Sequence, residues 1–407
     1  MRRGGTTDGQ SFPSPAGRGD QRGEDWRGSP TPSSICRSLR LMHRSDWRLL
    51  ALSALYAAVV IPISLNKGSD FDMHLHQAEL LLAHRPVYAG APPFGAWWPP
   101  LPLLALVPFA WLAHASVALA KGSFALANVA CLAGAVWCAR QRFGRAAWLA
   151  LAAVAVPLQT TFEYLNLNAL LVALLMLGMA DVSPRPTRAA GWIGLMTAVK
   201  VFPGLLLAYL AARRQWRGVA LGVAVALAAT CVAAAVPWGP GEGLATLQRW
   251  AALSVAAVPE MHGRSQSLPA LLFRAGVPLP AQAALELALL VLVLVLLARR
   301  EEDTGVALAV MMVLAVFLSP VAHTHYYLLA YPAWCVLLTR APPPTSRGVW
   351  YAALGCAGVL TSGFLTLGPY EWRRGLHESG IYAWGAVLLL VLLLAPRAGE
   401  ATSPRAA

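Results

Sequence analysis

The chain has 407 residues, 57% of them hydrophobic and only 13% charged, with a formal net charge of +13. That composition excludes an ordinary soluble domain, in which about a quarter of the residues are charged. Nor does the positive charge mark a nucleic-acid binder: Arg sits in short clusters between apolar runs, with no basic stripe carrying interleaved aromatics.

Residues 1–45 are rich in Gly, Pro, Ser and Arg and lack a hydrophobic period, so they read as a disordered cytoplasmic tail. No apolar segment follows the first charges, which excludes a signal peptide; Met42 offers a second start just before the first span. That span covers 47–65, and Arg37, Arg40, Arg44 and Arg48 before it or at its start place the N-terminus in the cytoplasm. The loop at 66–100 is then extracytoplasmic. Within it Leu75, Ala78 and Leu82 share one helical face, which predicts a helix at 73–85 lying on the membrane surface. The stretch 97–115 reads as interfacial or re-entrant, because a full span would carry Arg140, Arg142 and Arg145 outside.

Further spans follow at 122–138, 145–158 and 165–180, a short pair at 188–199 and 201–212, then 218–236, 283–298, 305–319, 325–339, 349–366 and 382–396. Neither member of the short pair is long enough to cross a bilayer of ordinary thickness. The fold class is therefore an all-α polytopic membrane protein with about 12 transmembrane helices (10–13) and surface helices in the first extracytoplasmic loop. One membrane domain occupies 46–397, and 398–407 form a short cytoplasmic tail. The clusters Arg185/Arg188, Arg213/Arg214/Arg217, Arg299/Arg300 and Arg340/Arg347 all face the cytoplasm in this topology, whereas Arg373/Arg374 fall outside. Five of the six Cys lie in apolar runs without ligand spacing, and read as small buried hydrophobes.

The unusual polar residues collect on the extracytoplasmic face: the segment 69–79, the segment 162–168, Lys200, the long loop 237–281 and the segment 319–327. Polar groups at membrane depth are costly and mark function by default. Asp70 and Asp72 read either as an exposed turn before a helix or as a general base. His323 and His325 flank Thr324; they read as an interface pair beside Tyr326, as a site for an anion or hydroxyl, or as metal ligands lacking a third and fourth partner. Lys200 and Arg264 read as snorkelling side chains or as cations for a lipid-linked phosphate. Trp97 and Trp98 read as interface anchors or as sugar-stacking rings. No carboxylate cluster of ligand type stands out, so neither metal nor cofactor is expected.

At these residues the sequence resembles glycosyltransferase family 87, one of the C-type (GT-C) membrane glycosyltransferases. The resemblance rests on Asp70-Phe71, a surface helix running on toward Tyr88, Trp98-Pro99-Pro100-Leu101, and Gly194-Leu195 followed by Lys200, Phe202 and Pro203. It continues through the basic turn 213–217, Ser265-Gln266-Ser267-Leu268 with Arg274, and Leu318-Ser319-Pro320 with His325. Two positions depart from the family pattern: Leu165-Asn166-Leu167-Asn168 stands where the family has Gly-Gln-x-Asn, and His74-Leu75 where it has paired Tyr. The resemblance covers about 47–340. It implies a GT-C-type fold and an inverting transferase in the cell membrane. Such an enzyme moves a hexose, often mannose, from a polyprenyl-phosphate donor to a glycolipid or glycan hydroxyl on the extracytoplasmic side. Its site would use Asp70, with Asp72 and His325, for catalysis. Lys200, Arg264 and His323 would hold the donor phosphate. His74, Asn166, Asn168, Gln266, Trp98 and Tyr326 would meet acceptor and sugar.

The competing reading is a transporter or flippase of lipid-linked sugars. It predicts internal repeats and ionisable groups near mid-membrane. The sequence shows no clear repeat, and its polar groups gather at one face. A structural membrane component without chemistry would leave Asp70, Lys200 and His325 unexplained.

Overall fold

The structure, a computed structural model, describes residues 44–88, 98–256, 265–300, 303–342 and 346–396. Every regular element among them is helical. α1 (Arg44–Asn66) is 23 residues long, about 34 Å at 1.5 Å per residue, enough to cross a bilayer. Gly68 (φ 68°) turns the chain into α2 (Ser69–Leu82), whose first turn carries Asp70 and Asp72 beside the positive end of the helix dipole. A side chain on Gly68 would be strained by this φ and would lie 2.9 Å from the Ser64 carbonyl, so the turn requires glycine.

α3 (Pro100–Ala115) opens on a proline pair, and Ser116 caps the long α4 (Val117–Phe143) by accepting from Leu119 N–H. α5 (Ala146–Ala152) and α6 (Ala155–Tyr164) form one run bent by 68°. α7 (Asn168–Asp181) and α8 (Pro186–Val199) follow, and a 3₁₀ turn at Phe202–Gly204 leads from Lys200 into α9 (Leu205–Ala212). α10 (Trp216–Ala256) looks continuous but breaks at Gly239, where the backbone leaves helical geometry between Pro237 and Pro240. The chain then forms α11 (Leu268–Arg274), α12 (Leu279–Arg299), α13 (Thr304–Phe317), a 3₁₀ segment at Thr324–Ala330, α14 (Tyr331–Leu337), α15 (Arg347–Ser362), α16 (Tyr370–Glu378) and α17 (Ile381–Leu394).

Helices apolar on every side must lie inside. α13 is buried at every residue from Gly305 to Phe317, packed against α7, α9, α14 and α17. α1, α10 and α12 instead turn Leu and Val outward, including Leu55, Leu227 and Leu287, as lipid-facing helices must. By length and apolarity, α1, α4, α10 and α12 can each cross a membrane, and the bent pairs α5–α6 and α16–α17 bring the number to six. The about twelve spans read from the sequence include shorter helices that this criterion leaves out. The expected loop at 237–281 begins as helix, since the second arm of α10 runs on to Ala256.

Several Arg read as loop charges have inner partners. Arg142 donates to the Met179 carbonyl at 2.6 Å and pairs with Asp303. Arg340 donates to the Leu392 and Leu393 carbonyls, and Arg300 to that of Leu394, so both close the C-terminus of α17.

Candidate active site

The site is assembled where four chain reversals meet. Ser64 donates to the Phe162 carbonyl (2.9 Å) and Gly68 N–H to that of Glu163 (2.7 Å), which ties the end of α1 to the end of α6. Lys67 pairs with Glu163 at 3.1 Å. These bonds fix the start of α2, and with it Asp70. Leu165 takes a left-handed conformation (φ 55°), ending α6 and turning Asn166 and Asn168 inward. Lys200 stands in the extended break after α8, and His325 in the 3₁₀ segment after α13.

Asp70, Asn166, Lys200, Asn168 and His325 form one connected group. The Asn166 amide donates to Asp70 Oδ2 at 2.8 Å, while its oxygen accepts from Lys200 Nζ at 2.9 Å. Lys200 also donates to Asn168 Oδ1 at 3.0 Å, and Asn168 in turn donates to the His325 carbonyl at 2.7 Å. The Lys200 ammonium lies 3.8 Å from the centre of the Tyr326 ring, whose other contacts include a stacked Phe202. His325 Nε2 is 4.0 Å from Asp70 Oδ2, and both ring nitrogens of this buried residue lack a hydrogen-bond partner among the described residues.

The electrostatics follow from burial. Desolvation raises the Asp70 carboxyl above its usual range, against the Asn166 hydrogen bond and the Lys200 charge, which lower it. Lys200 is pushed down to about 7, chiefly by burial, while Asp70 draws it upward. A carboxylate held this way accepts a proton more readily than an exposed one, and the two buried ring nitrogens of His325 stand unpaired beside it.

The other sequence-derived candidates divide. Asp72 points away from the group and pairs with Lys121 at 2.7 Å; Lys121 also donates to the Lys67 carbonyl at 3.0 Å. His74 hydrogen-bonds Gln77 (2.7 Å) and stacks on Trp98 at 3.7 Å, and burial lowers its imidazole to about 3, so it is neutral. Trp98 is itself buried, and Tyr88 donates to its carbonyl. Both Trp98 and His74 thus brace α2 rather than expose a face to solvent. Gln266 is fully buried; its N–H bonds the Ala322 carbonyl, its amide the His377 carbonyl, and its carbonyl accepts from Tyr327. It clasps the segment that presents His323 and His325, whose rings lie 5.7 Å apart. Arg264 and Trp97 lie outside the described residues.

Sequence reading passed over Lys121, although a lysine within the apolar opening of α4 carries the same signal as Lys200 within 195–205. Among the described residues, no three His, Cys, Asp or Glu side chains group to hold a metal ion.

A family model for glycosyltransferase family 87 matches residues 97–320. Over 378 aligned residues the chain is 25% identical to a polyprenol-phosphate-mannose-dependent alpha-(1-2)-phosphatidylinositol mannoside mannosyltransferase of Mycolicibacterium smegmatis, with 80% of this chain and 83% of that protein covered. No solved structure matches the chain.

Proposed function

Because this chain belongs to glycosyltransferase family 87, and is accordingly a membrane glycosyltransferase, we propose that it transfers mannose from a polyprenyl-phosphate carrier to a hydroxyl of a glycolipid. The donor and acceptor classes are those in the name of the mycobacterial relative. In this reading the reaction inverts the anomeric centre, Asp70 is the general base, and the site faces the extracytoplasmic side of the cell membrane. The observation that carries it is the placement of Asp70: a part-buried carboxylate fixed by Asn166 at 2.8 Å, with the buried, unpaired ring of His325 alongside.

The acceptor hydroxyl gives its proton to Asp70 as its oxygen attacks the anomeric carbon. The bond from that carbon to the phosphate oxygen breaks, and the carrier phosphate departs with the electron pair. His325, with His323 and Arg264, meets the phosphate, where fixed donors stabilise the growing charge. Lys200 acts from behind the carboxylate: two of its N–H groups end on Asn166 and Asn168. Metal is not required, since cations and imidazoles supply the electrostatic role.

General-base help is worth a factor of about 10² to 10⁴, so Asp70→Asn should remove most turnover while leaving donor binding intact. Asp72→Asn should cost far less, because Asp72 faces Lys121. Mannosyl transfer by purified protein, with polyprenyl-phosphate mannose and a glycolipid acceptor, tests both; full turnover in Asp70→Asn sinks the mechanism. The same assay should continue in EDTA, and activity that vanishes and returns with magnesium or manganese overturns the metal-free reading.

A further inference from the structure

The reversal that presents Asp70 is a sharp one. α1 ends at Asn66, α2 begins at Ser69, and Gly68 (φ 68°) turns the chain between them. Asp70 is the second residue of α2, so its place depends on how that reversal is held. From the side of α6 it is held by neutral groups: Ser64 donates to the Phe162 carbonyl, and Gly68 N–H to that of Glu163. From the side of α4 it is held by a charge. Lys121, buried in the second turn of α4, donates to the Lys67 carbonyl at 3.0 Å, just past the end of α1. It also donates to Asp72 Oδ2 at 2.7 Å, in the first turn of α2. Its stem packs against the turn itself, since a Cβ on Gly68 would lie 3.4 Å from Lys121 Cε.

Packing alone does not ask for a lysine here. An ammonium buried in a span is costly, and buried ion pairs can often be replaced by apolar side chains with no loss of stability. What the ammonium supplies is direction. It gives one short bond to each arm of the reversal, and the two anchor points, Lys67 and Asp72, enclose Asp70. Among the described residues its hydrogen bonds go to those two arms and not to Asp70 itself. The proton affinity of Asp70 is set by other things: its burial, Asn166 and Lys200.

We propose that Lys121 is a positioning residue, which by clamping Lys67 to Asp72 fixes where the Asp70 carboxylate stands against the acceptor hydroxyl. This rests on Asp70 being the base in the transferase reading. It adds a residue that sets where the base stands without setting how tightly it holds a proton. A misplacement of about 1 Å at a reacting group can cost on the order of 10²-fold in rate.

Steady-state mannosyl transfer by the purified full chain tests it, with polyprenyl-phosphate mannose and a glycolipid acceptor. Lys121→Met keeps the apolar stem and removes the ammonium. It should lower kcat about 10²-fold, leave the KM for the donor unchanged, and leave the acidic limb of kcat/KM at the wild-type pH. Lys200→Met, which removes a charge that stabilises the Asp70 carboxylate, should instead move that limb to higher pH. The double variant Lys121→Met/Asp72→Asn leaves neither charge unpaired. It should unfold at the wild-type temperature and show the same loss of kcat. Wild-type kcat in both variants would overturn the proposal. So would a limb displaced to higher pH in Lys121→Met, which would make Lys121 an electrostatic neighbour of the base, or a loss of kcat that only accompanies a lowered unfolding midpoint in both variants. Failure of the transferase reading shows separately, as wild-type protein that transfers no mannose.

Discussion

Asn166 holds the two charges of the site at once, donating to Asp70 and accepting from Lys200. It stabilises the ionised carboxylate, so it works against the desolvation that raises the Asp70 pKa. The acidic limb of kcat/KM reports the free enzyme's base, and should lie above the usual carboxylate range. Asn166→Ala removes the stabilising donor, so the limb should move to higher pH; Lys200→Met removes a charge of the same sign of effect and should move it the same way. A limb that stays put or shifts to lower pH in both variants would remove Asp70 from the role of base. Lys200 stands out in the sequence as an ionisable group within an apolar run, and Asp70 and His325 through the motifs that resemble the family pattern; the structure brings the three into one group. The wiring among them was not legible, because it depends on the left-handed turn at Leu165, which no local pattern announces. Trp98 reads from sequence as an interface anchor or a sugar-stacking ring; in the structure it is buried, and the ring stacked on it is that of His74.

Helices and their order were legible from apolar periodicity and from Arg between runs, while the joints between helices were not. The sequence reading of 237–281 as one loop missed that Gly239 turns a helix back on itself, since proline and glycine there read equally well as a loop. Gly194, recognised as the start of a motif, has a plain packing reason. An added Cβ would lie 2.3 Å from the Gly222 carbonyl oxygen, so α8 and α10 meet backbone to backbone, as small residues allow in membranes. Gly194→Ala should therefore push apart the helix that ends at Lys200. Overpacking of this kind costs about 1–3 kcal/mol, which should lower the midpoint of thermal unfolding and reduce turnover. Gly241→Ala, where a Cβ meets nothing within 4 Å, is the matched control and should change neither. Equal melting curves for both variants would show that the close approach does not bear on stability.

At the scale of the whole molecule, one polarity runs through the helices that build the site. α7 begins at Asn168 and ends at Asp181; α8 begins beside Arg185 and ends at Lys200; α13 begins at Asp303 and leads toward His325. α4 carries Lys121 near its start and Arg142 near its end. The catalytic candidates thus sit at one set of ends, and the Arg142–Asp303 and Arg188–Asp181 pairs at the other. Arg clusters beside spans favour the cytoplasm. Some of these Arg also close helix ends, as Arg340 and Arg300 do for α17, so the count of basic residues mixes a topological signal with a packing one. The end-to-end separation puts the Asp70 end opposite the Arg142–Asp303 and Arg188–Asp181 pairs, and the proposed topology takes that end as the extracytoplasmic one. The first arm of α10 leaves the Arg213–Arg217 turn and reaches Gly239 after 23 further residues from Trp216, about 35 Å on, which puts the hairpin apex on the same side as Lys200. In a chain whose native Cys are replaced by Ser, a Cys at the exposed Gly241 should react with an impermeant maleimide in intact cells. A Cys at Ser183, exposed between α7 and α8, should react only after permeabilisation. The reverse pattern would turn the site toward the cytoplasm, and with it the compartment from which both lipid substrates must come.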